Sequence, residues 1–385
     1  MSINDIVEKV KSGERLSSED AIRLYKHDDL AEIGALANSV REARAGTGKE
    51  KYVYYIHNMH LNPTNFCVET CRFCSYANPE NNSYTWTVDQ VLDNARYGVS
   101  LGISEIHMVG GLNPACDLNF YEEVIRAFKK EFPHVHVKAM TAVEIEYLAN
   151  LEGISYEDCL KRLIDAGLGS MPGGGAEIFD ESVRENMHVK KTPAATWLGI
   201  HGIAHKLGLK STATMLTGIG EKIEHKVDHI NQLREQQDKT GGFMCFIPLK
   251  CYYEGTTIKP GEIHEPDYND LLRDIAISRL FLDNFPHIKA YWIQLGEELA
   301  QTALSFGADD MDGTILEEKI THAAGAKTPL QLAKEKMESH ILRSGFVPVE
   351  RDTVYNIKRV INETPAESKS LNERIKALQL TTASV

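Results

Sequence analysis

The pattern of apolar positions changes period near residue 50. Before it, apolar residues recur at helical spacing, most plainly from Leu30 to Ala45, and Ser17-Ser18-Glu19-Asp20 has the composition of a helix start. Thr47-Gly48-Lys49 punctuates this segment, so residues 1–50 read as an N-terminal helical cap. From residue 52 onward, short β-rich runs alternate with longer amphipathic ones. Val53 to Leu61, Glu105 to Val109, His136 to Ala142, Gly169 to Met171, Ser211 to Leu216, Phe243 to Pro248 and Ile288 to Gln294 predict strands. Val88 to Ser100, Phe120 to Glu131, Tyr156 to Ala166, Ala194 to Leu207, His225 to Lys239 and Tyr268 to Asp283 predict helices. Strands spaced by helices imply an α/β fold with a parallel sheet, and a series this long favours a (β/α) barrel of the TIM type, complete or partial. No Gly-x-Gly-x-x-Gly follows the first strand, which weakens a doubly wound, dinucleotide-binding alternative. The barrel core is expected over 51–310. A C-terminal extension is expected over 311–365, with a helix from Pro329 to Ser344, an extended Phe346 to Val349 and a second helix from Val354 to Val360. The polar residues 366–385 read as a flexible tail.

Composition narrows the class. The chain has 385 residues, 42% apolar and 25% charged, as globular proteins do. No apolar run reaches the roughly 18–20 residues of a membrane span. The first ten residues carry Asp5 and Glu8 and lack a signal-peptide layout, so a cytoplasmic location without a membrane partner is expected. With a formal net charge of -13 and no Lys/Arg block, nucleic acid is not an expected partner. A small anionic ligand stays open, because a few local cations suffice to hold one.

Seven cysteines, an odd number in a long chain, argue against a disulfide framework. Cys116, Cys159, Cys245 and Cys251 are scattered and read as small buried hydrophobes. Cys67, Cys71 and Cys74 stand apart. Their Cys-x3-Cys-x2-Cys spacing follows the first predicted strand, at the mouth of a barrel where active sites of this fold lie. Three thiolates on one loop can hold three irons of a cubane cluster, leaving the fourth iron to a chelating small molecule, since cluster cysteines normally number four. A zinc-stabilised scaffold without catalysis is the alternative, although structural zinc prefers paired Cys arms.

This cysteine motif resembles the signature of the radical S-adenosylmethionine (SAM) superfamily. The resemblance implies a 4Fe-4S cluster, SAM on its open iron, and an electron donor such as flavodoxin or ferredoxin. It places Phe73 beside the adenine and Gly110-Gly111 at the SAM amino group, with Leu112 where many members have Glu. Gly173-Gly174-Gly175 with Glu177, and Gly218 with Glu221, correspond to further SAM-facing turns. Glu144 could take the SAM ammonium or a ribose hydroxyl, or be a helix-start carboxylate favoured by the macrodipole. Gly110-Gly111 could equally be a tight turn, and Glu221 part of a simple loop.

Three further segments, Lys138 to Glu144, Pro172 to Phe179 and Gly241 to Leu249, are similar to the futalosine-pathway enzymes of menaquinone biosynthesis. Asp312 to His322 and Val347 to Asn356 are most similar to the aminofutalosine synthase family, rather than to the sister cyclase that acts on dehypoxanthine futalosine or to the related deazaflavin-forming enzymes. The implied reaction adds the 5′-deoxyadenosyl radical of SAM to 3-[(1-carboxyvinyl)oxy]benzoate, with rearrangement and loss of bicarbonate. That small aromatic substrate carries two carboxylates, so cations are expected near the barrel mouth. Lys138, Lys250 and His322 are the candidates, with Lys138 and His322 also proposed as catalytic. His322 could bind a carboxylate or move a proton near neutral pH, or lie on a helix surface. Asn62 and Asn65 could bond substrate or shape the loop before Cys67.

Overall fold

The computed structural model describes residues 2–77, 83–187 and 192–361, and the tail expected over 366–385 lies outside them. In chain order the strands are β1 (Tyr52–Ile56), β2 (Asn58–Leu61), β3 (Glu105–Met108), β4 (His136–Ala139), β5 (Ser170–Met171) and β6 (Lys210–Thr217). They continue with β7 (Phe243–Lys250), β8 (His287–Ile288), β9 (Asp310–Gly313), β10 (Val347–Arg351) and β11 (Ile357–Val360). Strands β2 to β8 lie side by side in sequence order, every pair parallel. The helices between them pack outside, their starts fixed by reciprocal side-chain caps such as Thr87 with Gln90, Thr141 with Glu144 and Asp267 with Asp270. Strand β6 is buried from Ser211 to Thr217, as expected of a strand covered on both faces.

Residues 310–316 fill the gap between β8 and β2. Lys289 bridges Asp310 and Leu316 bridges Met59, both in parallel register. The Ala290 N–H donates to the Asp310 carbonyl (2.8 Å) and the His60 N–H to the Leu316 carbonyl (3.0 Å). The sheet therefore closes on itself, and the expected (β/α) barrel is complete. The core boundary expected at residue 310 falls inside this closing segment.

Five local expectations are corrected. Val53 to Leu61 is two strands, not one: it breaks at His57, where the partner on one side changes from β10 to β3. Both halves have the same β-forming composition, so a change of partner leaves no trace in the sequence. His136 to Ala142 ends as a strand at Ala139, because Thr141 caps a helix, Ala142–Glu152, whose start the helix-start reading of Glu144 anticipates but which is not among the expected helices. Likewise β8 stops at Ile288, and Trp292–Leu295 is helical. The helix expected over Val354 to Val360 is instead β11, antiparallel to β10. The Asp352 carboxylate accepts from the Val354 and Asn356 N–H groups (3.0 and 2.8 Å), folding a turn that a propensity reading misses. The helix expected from Pro329 starts later, at Lys334.

Of the N-terminal helices, Ser18–Tyr25 and Leu30–Ala45 lie against the outer helices Ile223–Thr240 and Tyr268–Phe281, and Asn4–Ser12 is tied to Ser18–Tyr25 by the Lys9–Asp20 and Arg23–Asp5 ion pairs. Arg234 donates to the Leu16 carbonyl (2.8 Å) and Arg273 to those of Leu24 and His27 (3.1 and 2.7 Å). This cap braces the barrel wall. Among the described residues, no helix is long and apolar enough to cross a membrane.

The closing strand β9 is acidic, so cations must meet it inside the protein. Lys289 Nζ lies 2.9 Å from Asp312, and Arg351 Nε lies 2.6 Å from Asp310, with both pairs buried. Removing one partner of a buried pair strands the other charge, at a cost of about 3–5 kcal/mol. Arg351→Met should lower unfolding stability by about that amount in urea titrations, and adding Asp310→Asn should recover part of the loss. An unchanged midpoint for Arg351→Met would contradict this account of closure.

Candidate functional site

The C-terminal ends of the strands surround a cavity of about 300 Å³. Cys67, Cys74, Gly110, Gly111, Leu112, Thr141, Glu144 and Gly173 to Gly175 all line it. Deeper positions contribute His60, His107, Lys138, Thr212, Thr214, Tyr291, Asp312 and Glu318.

Two glycines are required by contact. A Cβ on Gly111 would stand 2.0 Å from the Phe66 carbonyl oxygen, and one on Gly173 would stand 2.7 Å from that of Thr212. In each case the obstacle is backbone, which cannot swing away. The turn at Gly111 thus lies directly against the start of the cysteine loop. The Leu112 N–H, one residue on, donates to Cys67 Sγ (3.4 Å). Cys71 is buried, and all three cysteines are free thiols that could ligate metal.

Glu144 unites its two readings. It completes the helix cap, its Oε2 accepting from the Thr141 N–H and hydroxyl (both 2.7 Å), while its Oε1 accepts from the Gly110 N–H (3.1 Å). The carboxylate is thereby fixed at the cavity wall.

Several expected site residues lie elsewhere. Phe73 is half-buried and packs against the core without lining the cavity. Glu177 is buried behind the glycine turn, at a positive φ of 45°. Glu221 accepts from the Gly218 and Ile219 N–H groups (2.9 and 2.8 Å), bracing its own loop away from the cavity. Asn62 donates to the Val109 carbonyl (2.9 Å) and Asn65 accepts from the Tyr84 N–H (2.7 Å), so both shape the loop. Lys250 pairs with Glu265 (2.9 Å) in a neighbouring cleft. His322 has both ring nitrogens occupied, by Glu318 (2.7 Å) and the Thr328 carbonyl (2.7 Å). It therefore supports Glu318 from behind rather than facing the cavity.

Lys138 does line the cavity, and is the only lysine or arginine among the described residues that do. It sits in a row that the sequence reading missed. His60 on β2, His107 on β3 and Lys138 on β4 are direct register partners, so their side chains share one level of the barrel interior. The two imidazoles meet edge to face, with centroids 4.7 Å apart. The signal was polar residues where a parallel strand covered on both faces should be apolar throughout.

The electrostatics of this level are asymmetric. Burial works to raise the Glu105 carboxyl, but the cations around it, Lys138 foremost, outweigh that and hold it well below the usual carboxylate range. Burial, reinforced by the Lys138 charge, pushes His107 well below the ordinary imidazole value, and burial lowers His60 as well. Both rings are consequently neutral at pH 7.

Comparison with known proteins agrees with this arrangement. Residues 61–233 match the radical SAM superfamily, and residues 240–364 match the CofH/MqnC C-terminal region. The chain belongs to the radical SAM superfamily of enzymes, in the group that carries this C-terminal region. It is 43% identical over 366 residues to the aminodeoxyfutalosine synthase of Thermus thermophilus, covering 94% of this chain and 97% of that one. The synthase of the same name from Streptomyces coelicolor is 42% identical, covering 92% and 94%. The cyclic dehypoxanthine futalosine synthase of S. coelicolor is 36% identical, covering 97% and 92%. Among solved structures, methylornithine synthase matches with a TM-score of 0.70 at 16% identity, covering 95% of this chain and 99% of that one. The FeFe-hydrogenase maturase HydG from Carboxydothermus hydrogenoformans matches at 0.72 and 17%, covering 92% and 80%. At those identities the likeness is one of fold.

The contact at Gly111 generates a test. Gly111→Ala should displace the segment carrying Cys67 and lower iron bound per chain several-fold, with the far-ultraviolet dichroism kept. Gly199→Ala is the control, since its Cβ would meet nothing within 4 Å. Equal iron content in the two variants would contradict the close-contact argument.

Proposed function

We propose that the chain is an aminodeoxyfutalosine synthase, adding the 5′-deoxyadenosyl group of SAM to 3-[(1-carboxyvinyl)oxy]benzoate with loss of bicarbonate. The observation that carries this reading is the 42–43% identity, over more than nine-tenths of the chain, to two synthases of that name. Cyclic dehypoxanthine futalosine synthases stand lower, at 36% and 33%.

Cys67, Cys71 and Cys74 would hold the 4Fe-4S cluster of the family. A cubane takes one iron per thiolate, whereas structural zinc prefers paired Cys arms, so the Cys-x3-Cys-x2-Cys loop suits a cluster better than structural zinc. The Leu112 N–H donates to Cys67 Sγ and so ties the first cysteine to the glycine turn. When bound, the reduced cluster supplies the electron that cleaves SAM to methionine and the 5′-deoxyadenosyl radical.

This chain's residues would then bind and orient. Gly110, Gly111 and Gly173 to Gly175 let SAM approach the backbone closely, and Glu144 presents a fixed carboxylate to its ammonium. Leu112, Val109, Ile247 and Leu249 give the cavity apolar walls for an aromatic ring and keep water from the radical. The electron donor would be a flavodoxin or ferredoxin, and the setting cytoplasmic.

Anaerobic assay of reduced, cluster-loaded protein with carbon-labelled SAM tests the reading. Label should appear in an adduct with the enolpyruvyl benzoate. Cys67→Ala, Cys71→Ala and Cys74→Ala should each lose the cluster absorbance and reduce adduct to background. Release of free 5′-deoxyadenosine on dehypoxanthine futalosine, without adduct from the benzoate, would assign the chain to the cyclase.

A further inference from the structure

We propose that the row His60–His107–Lys138 is a carboxylate site that receives the ring carboxylate of the aromatic substrate, setting which end of the molecule enters the barrel first. The proposal rests on the synthase reading and says where one part of its substrate goes.

The argument begins with unmet demand. Lys138 is 4% exposed, yet its ammonium makes no hydrogen bond or ion pair among the described residues. A buried ammonium without an acceptor is costly. His60 Nε2 is shut from solvent and has no hydrogen-bond partner among the described residues. His107 makes none among the described residues, its ring contact with His60 apart. Three neighbouring basic groups thus lack acceptors at one level of one cavity.

The acids of the cavity are in the opposite state. Asp312 is met by Lys289, Glu318 by the Thr321 and His322 N–H groups and the His322 ring, and Glu144 by Thr141 and Gly110. Their donors come from within the wall, and Glu105 and Asp312 act on the Lys138 charge only at longer range, neither making a hydrogen bond or close ion pair with it among the described residues. With both imidazoles neutral, the row carries one positive charge and additional N–H donors. That combination fits a single carboxylate, with the ammonium supplying charge and a ring N–H the second hydrogen bond.

Depth selects which carboxylate. Gly110 lies three residues beyond His107 along the chain, about 10 Å toward the mouth at about 3.3 Å per residue. The vinyl carbon must meet the adenosyl group at the glycine-lined rim, and the enol carboxylate sits on the adjacent carbon. The ring carboxylate is on the far side of the aromatic ring, so it is the group that reaches the row.

Calorimetric titration of the unreduced, cluster-loaded protein with SAM present tests this. Lys138→Met should bind 3-[(1-carboxyvinyl)oxy]benzoate about 10- to 100-fold more weakly, the range for a lost charge-assisted bond. It should bind 2-phenoxyacrylate, which lacks the ring carboxylate, within about threefold of wild type. Lys138→Arg should recover part of the loss. Equal weakening toward both ligands, or none toward the first, would overturn the assignment. A second measurement needs no variant: wild-type protein should bind 3-methoxybenzoate in preference to its methyl ester, and absence of that preference also overturns it. If that preference is present but the enolpyruvyl benzoate gives no adduct, the carboxylate site stands and the synthase reading falls.

Discussion

A barrel cavity exists only if the sheet closes, and here closure depends on burying an acidic strand. Asp310 and Asp312 enter the interior on β9 and are met by Arg351 from β10 and Lys289 beside β8. Each cation comes from a different segment, so the ion pairs fix the register of three chain regions at once. Carboxylates without those partners would hold β9 toward water and leave β8 and β2 as open edges. The site is thus downstream of an electrostatic constraint at the seam.

That seam was also the least legible part of the sequence. Asp-Met-Asp-Gly has poor strand propensity, and its strand character comes from tertiary partners. The break at His57 and the hairpin ending in β11 were hidden for the same reason, being set by pairing rather than by local pattern. By contrast the alternation of βα units, the cysteine loop and the glycine turns were plain, because each is written in adjacent residues. At Gly111 and Gly173 a Cβ would strike neighbouring backbone at the cavity wall, whereas Gly218 meets Pro266 and Tyr253 in a loop braced by its own Glu221.

Side-chain roles split along similar lines. Lys250 and His322 were plausible from chemistry alone, but a sequence does not show that Glu265 and Glu318 already occupy them. Lys138 differs in making no hydrogen bond or close ion pair among the described residues, with Glu105 acting on it only at longer range. His60 and His107 were overlooked because each is an ordinary residue in isolation. Their significance comes from register, which aligns them with Lys138 across three strands.

The partner change at His57 has a consequence for the order of synthesis. Strand β1 is paired on both sides by segments far downstream of it, β9 and β10. Until those emerge, an almost complete barrel has an unpaired edge beside the cysteine loop, and long-range pairing of this kind is slow to form. The nascent chain thus has a prolonged interval in which its thiols stand near an open seam. That interval follows from strand order rather than from the chemistry of the site.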